Sequence, residues 1–314
     1  MDYYSIIIPK LFNLVLLILT GVFAVRIGVL KKEGLTVLSG LLMKIILPLL
    51  SFHLLMEQKV TFGDLIKLRG MVAAQLCIYP VMILAGLICV KVTGMKYPQR
   101  NVHLGCMVSG NYAYVVLPLL YALFEGTQAS IYIPLGCSLE ALVIWTVGIS
   151  LFTQGQKKNL AESIRNALNP ITYAVLLGFL VNTFSVPIPA IVKETIGQLG
   201  STSTVLGMIY IGASLCFMEK GSARNLPHAL IYSVTRMILV PVLVYAAARQ
   251  IFPEAESIVL MVTACSPSTT IAVMISRDHG LDPDYAAQIV TVSTLFCVIS
   301  IPVIFLAVRW MAGA

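Results

Sequence analysis

SGNYAYVVLPLLYALFEG, residues 109–126, is apolar enough to lie in a membrane, yet it carries Gly110, Asn111 and Pro118. A proline has no N–H to donate and its ring crowds the preceding turn, so a kink or break is expected near Val115. Backbone groups freed inside hydrocarbon cost several kcal/mol each, so the break is tolerable only against protein or a wet cavity. Asn111 adds a buried amide that needs partners. A second stretch shows the same contradiction. CSPSTTIAVMIS, residues 265–276, places Pro267 among Ser266, Ser268, Thr269 and Thr270, four hydroxyls within five residues.

The chain around these stretches is a membrane chain. Of its 314 residues 58% are hydrophobic and 11% charged, with mean hydropathy +0.92; a soluble domain carries about 25% charged residues. The first apolar stretch, LFNLVLLILTGVFAV, could serve as a signal-peptide core. However, Asp2 precedes it, no small-x-small pattern follows, and its basic flank, Arg26 to Lys32, lies on the far side. It reads as a retained first span. The net charge of +7 is spread over separate short loops, which fits topology and not nucleic-acid binding. The seven cysteines show no CxxC spacing and read as small apolar packing residues, so neither disulfides nor a metal site is inferred.

A crossing helix needs about 20 apolar residues. That ruler gives spans at 6–26, 35–56, 65–92, 101–123, 129–152, 168–186, 190–217, 226–251, 257–277 and 285–310. Twelve of the 21 basic residues fall in the loops after odd-numbered spans and seven on the opposite side. The positive-inside rule then puts both termini outside and the 153–166 loop in the cytoplasm, although Lys59, Lys67 and Arg69 lie on the wrong side.

The halves echo each other. QLCIYPVMIL in span three pairs with TRMILVPVLV in span eight, Pro80 and Pro241 being 161 residues apart. LFEG after span four pairs with RDHG after span nine, Gly126 and Gly280 being 154 apart. Five spans per half is an odd number, so the second half must enter from the opposite face. The expected fold is therefore an all-α integral membrane protein of ten transmembrane helices: repeat one at 1–152, a connecting loop at 153–166, repeat two at 167–314. Inverted repeats are a signature of secondary transporters, with a site at the midplane where broken helices meet.

If spans four and nine break and cross, the positive ends of two half-helices face one gap, which suits an anion such as a carboxylate. Candidate substrate-binding residues are Asn111, Tyr112 and Pro118 with Ser266, Pro267, Ser268, Thr269 and Thr270. Three ionisable groups fall inside spans, where charge is costly and functional by default. Glu140 is either a coupling carboxylate for sodium or a proton, or the partner of a buried cation. Arg236 either pairs with it or contacts substrate. Lys44 could do the same, but snorkelling to an interface is the preferred reading. His53 and His103 are read as interfacial, and Arg277, Asp278 and His279 as a solvated loop. No HExxH, nucleotide-binding glycine loop or Ser/His/Asp arrangement is present, so neither an enzyme nor a cofactor is expected.

These residues also carry a resemblance. Asn111 seven residues before Pro118, span nine through Pro283, its continuation YAAQIVTVSTLFCVISIP, and NPITYAVLLGFLVNTF at 169–184 resemble the auxin efflux carrier family. Its plant branch is the PIN-FORMED auxin exporters. The resemblance implies two inverted five-helix repeats that share out a scaffold and a transport domain, with helices four and nine broken at prolines and crossing at the site. Asn111 and Pro118 carry over. The second crossover proline does not: the matching position, 154 residues after Pro118, is Ala272, and Pro267 sits five residues earlier. The short 153–166 segment replaces the plant exporters' long loop, which implies a bacterial-type member in the inner membrane. For such a member the family suggests small organic anions, malate or malonate or auxin-like acids, and a homodimer through scaffold helices. The rival reading is a sodium- or proton-coupled carrier or cation/proton antiporter on a related fold. It would place carboxylates beside the crossover, where spans four and nine hold none and only Glu140 is near. A membrane sensor would need a soluble output domain, which the chain does not show.

Overall fold

The computed structural model describes residues 3–57, 59, 61–124, 129, 132–155, 170–217 and 225–311; most of the expected 153–166 loop lies outside them. Helix α1 is Tyr3–Arg26 and α2 is Lys32–Glu57. A short α3, Phe62–Lys67, leads into α4, Arg69–Thr93. Span four is split into α5, Gln99–Val108, and a π turn Tyr112–Val116 that continues as α6, Leu117–Phe124. Helix α7 runs Tyr132–Val143, through a π turn Ile144–Gly148, to Ile149–Phe152. Then follow α8, Pro170–Thr183, α9, Ala190–Cys216, and α10, Leu226–Ala248. Span nine is split into α11, Glu254–Ala264, and α12, Ile271–Asp278, and α13 is Pro283–Met311.

Among the described residues every regular element is helical, and five helices are long and apolar enough to cross a membrane. The two split stretches cannot qualify, because neither holds an unbroken helix of that length. Polarity is inverted relative to a soluble protein: Val37, Leu84 and Leu243 are more than half exposed while Arg236, Gln75 and Ser266 are fully buried. Leu and Val can face outwards in numbers only where the surroundings are apolar. The protein is a multi-pass membrane protein.

Local turns are built from the sequence. At the start of α3 the Thr61 N–H and hydroxyl both donate to the Asp64 carboxylate, at 2.9 and 2.8 Å. Those donors hold the Asp64 carboxyl below the usual carboxylate range. Among the described residues, three of the four π turns, Leu42–Ile46, Tyr112–Val116 and Thr235–Leu239, each end two residues before a proline: Pro48, Pro118 and Pro241. A proline leaves the carbonyl four residues back without its donor, and a π turn re-satisfies such groups locally.

Packing divides the helices into two groups. Helix α1 packs mainly on α9, and α8 mainly on α2. The α1–α9 crossing is close because Gly21 lies against the Ile209 carbonyl and Gly212 against the Ile18 carbonyl, with no room for a Cβ at either. In the other group α4 packs on α5, α10 on α11 and α13, and α12 on α13.

Candidate functional site

The break in span four is at Ser109–Asn111, not near Val115. Helix α5 ends at Val108, Ser109 is extended (φ −102°, ψ 91°), and Asn111 (φ −93°, ψ 56°) leads into the π turn. Pro118 is the second residue of α6, seven residues downstream of Asn111. The π turn accommodates the proline, and the chain unwinds instead where Gly110 and Asn111 disfavour helix. In span nine the break runs from Cys265 to Thr270, around Pro267, and Ala272 lies inside α12.

The two unwound stretches cross antiparallel and satisfy each other. Gly110 pairs with Ser268, the Asn111 N–H donates to the Pro267 carbonyl at 2.7 Å, and the Thr269 N–H donates to the Ser109 carbonyl at 3.2 Å. The Ser268 N–H donates to Ser293 Oγ at 3.1 Å. Two breaks that would each be costly alone therefore supply one another's partners.

The C-terminal ends of α5 and α11 are neutralised by one side chain. Arg236, fully buried in the π turn of α10, donates from Nε to the Ser266 carbonyl (2.7 Å) and from Nη1 to the carbonyls of Cys106 (2.9 Å) and Met107. Its Nη2 lies 3.9 Å from Glu140 Oε1. Glu140 accepts from the Gly110 N–H at 2.8 Å and from the Tyr79 hydroxyl. Behind it, Gln75 Nε2 donates to the Tyr79 hydroxyl (3.1 Å) and the Gly136 carbonyl (3.0 Å), and the Tyr132 hydroxyl donates to Gln75 Oε1. Gly110 has to be glycine: a Cβ there would fall on Glu140 Oε1 and within 2.7 Å of both Arg236 Nη2 and Ser266 Oγ.

Beside the crossing lies a cavity of about 50 Å³, lined by Gly110, Asn111, Tyr112, Glu140, Trp145 and Thr269 among others. The N-terminal ends of the π turn leading to α6 and of α12 both open onto it, so two positive helix ends converge. Asn111 Nδ2 and Trp145 Nε1 are buried without a hydrogen-bond partner among the described residues. Such groups are costly unless something pairs with them, and both residues line the one cavity.

Of the expected site residues, Asn111, Tyr112 and Thr269 line the cavity, whereas Ser266, Pro267 and Ser268 are buried in the crossing itself and Thr270 is half-buried. Arg236 pairs with Glu140 and caps carbonyls, and it does not line the cavity. Lys44 is exposed and does not line the cavity. His103 is not interfacial: it is fully buried, with Nδ1 2.9 Å from the Tyr285 hydroxyl. Sequence reasoning missed Trp145, Gln75 and Tyr79. The signal for Trp145 was present, since Cys137, Glu140, Ala141, Ile144 and Trp145 recur at helical spacing and form one cavity wall.

The same chain-wide pattern is found in other proteins. The family described as membrane transport protein matches residues 6–305. An uncharacterized transporter of Methanocaldococcus jannaschii is 25% identical over 296 residues, covering 91% of this chain and 94% of that protein. With nearly its full length matched, the chain belongs to the membrane transport protein family, that of the auxin efflux carriers, and is a transporter rather than an enzyme.

Proposed function

We propose that this transporter moves small organic anions, mono- or dicarboxylates, by alternating access at the crossover of spans four and nine. The observation that carries the reading is the cavity where two helix N-terminal ends meet two unpartnered donors, Asn111 Nδ2 and Trp145 Nε1. Donors and positive helix ends suit an acceptor-rich, negatively charged guest. The cavity's one carboxylate, Glu140, already accepts from Gly110 and Tyr79 and lies beside Arg236.

The reading carries an architecture with it: ten membrane helices in two inverted five-helix repeats, with α1, α2, α8 and α9 as scaffold and the crossover group as the moving body. It is supported by the reciprocal packing of the first helix of each half on the second helix of the other. Termini on the outside follow from the charge distribution, and an inner-membrane location and a homodimer from the family resemblance alone. Coupling to sodium or protons is a second reading, because Glu140 lines the cavity.

The test is uptake of labelled malate, malonate, citrate and indole-3-acetate into proteoliposomes, with and without sodium, proton and voltage gradients. Anion uptake falling at least about tenfold in Asn111→Ala is expected, the order of one lost charge-assisted hydrogen bond. Full-rate anion uptake by that variant would overturn the site, and movement of sodium or protons alone would overturn the substrate class.

A further inference from the structure

The crossover cavity has a neighbour. A second cavity of about 150 Å³ is lined by Trp145, Ile149, Ile271, Met274, Ile275, Asp278 and His279. Trp145 and Ile271 line both. The second cavity runs along α12 from its N-terminal end at the crossing to its C-terminal end, where Asp278 is exposed. Trp145 and Ile271 therefore stand between the two cavities, and the second of them reaches the exposed end of α12.

Two properties of Trp145 bear on substrate choice. Its Nε1 is a donor with no acceptor among the described residues. Its ring is the largest side chain on the α7 face that lines the site, the other members being Cys137, Glu140, Ala141 and Ile144. A water takes about 30 Å³ in the liquid, so the first cavity alone has room for no more than a few waters. A carboxylic acid enters only if the partition shifts and part of the second volume is taken up. Even together the two volumes stay below the range of about 300–1,000 Å³ typical of pockets for drug-sized ligands.

We propose that Trp145 is a specificity-determining residue of the transporter, donating its indole N–H to the carboxylate of the guest while its ring sets the largest acid admitted. This rests on the crossover cavity being the substrate site. Small aliphatic acids pass, and bulkier ones are refused by the ring rather than by the polar groups of the crossing. Ile271, on the other side of the partition, presents only hydrocarbon, so the single directional contact there is the indole N–H.

The experiment uses the full chain in proteoliposomes, with malonate and citrate as small and large probes that do not cross lipid unaided. Wild-type protein should favour malonate over citrate at least tenfold. Trp145→Phe keeps most of the ring and removes the donor, so the malonate KM should rise about five- to tenfold with its size preference intact. Trp145→Ala removes both, and the citrate-to-malonate ratio should rise at least tenfold. The chain has two tryptophans. Trp310→Phe, at an 85% exposed position, leaves Trp145 as the lone indole reporter. Malonate should shift its emission, a readout that stands even if the alanine variant fails to fold. Unchanged KM and unchanged selectivity in both Trp145 variants, or an emission blind to malonate, would overturn the inference while leaving anion transport intact. Failure of wild-type protein to carry any anion would instead strike the reading on which it rests.

Discussion

At the scale of single residues, Arg236 is where the crossing is held. It donates to three carbonyls belonging to two different half-helix ends, and its remaining nitrogen faces Glu140. Removing one partner of a buried ion pair typically costs about 3–5 kcal/mol, because the other charge is left without compensation. Arg236→Met should therefore lower the thermal midpoint of the detergent-purified protein sharply. Glu140→Gln in that background should recover part of the loss, since a neutral amide oxygen still accepts from the Gly110 N–H. A midpoint unchanged by Arg236→Met would refute the capping role. The sequence made both charges visible as ionisable groups at depth, but it left their pairing open. They stand 96 positions apart, and only the fold brings them within 3.9 Å. Gln75 and Tyr79 were invisible for a different reason: a neutral amide and a phenol on an apolar helix look like ordinary packing until their hydrogen bonds are known.

Among the helices, the π turns connect proline positions to function. Pro9, Pro80 and Pro302 also lie inside helices, without a π turn ahead of them. A proline therefore permits the extra residue, and surrounding packing decides whether it is used. In α10 the π turn Thr235–Leu239 contains Arg236 and ends just before Pro241. Pro241→Ala restores an N–H and allows ordinary helix, which would rotate the preceding segment by about one residue, roughly 100°. Arg236 would then leave the carbonyls it caps. Transport should fall at least tenfold, with no comparable effect from Pro302→Ala in α13; equal effects of the two would show that register at Arg236 does not matter. That spans four and nine are interrupted was legible from Pro118 and Pro267. The position of the first break was not, because a π turn can absorb a proline that a plain α-helix cannot, leaving the unwinding to Gly110 and Asn111.

Across the whole molecule, the cavity lies between the two groups of helices, the proposed scaffold and moving body. Leu47, Ser51 and Ile171 reach it from α2 and α8, and Gly110, Glu140 and Ile271 from the crossover group. A space of about 50 Å³ is too small for the proposed acids, so it has to widen before a guest can enter, and alternating access assigns that widening to relative motion of the two groups. The long apolar stretches made the membrane class and the run of helices readable, since hydrophobic length is set by the bilayer. Which helices pack together was not readable, because such pairings depend on close approaches like those of Gly21 and Gly212, and glycine carries no hydropathic mark of its contacts. Relative motion has a direct consequence. In a chain freed of its seven native cysteines, Leu47→Cys with Ile271→Cys places one thiol on each body at the edge of the same cavity. Bridging the pair with mercuric ion should stop uptake, and excess free thiol should restore it, whereas either single variant should be indifferent to both. Continued uptake by the bridged protein, with bridging verified by mass, would mean that the two bodies need not separate, and alternating access at this crossing would have to be abandoned.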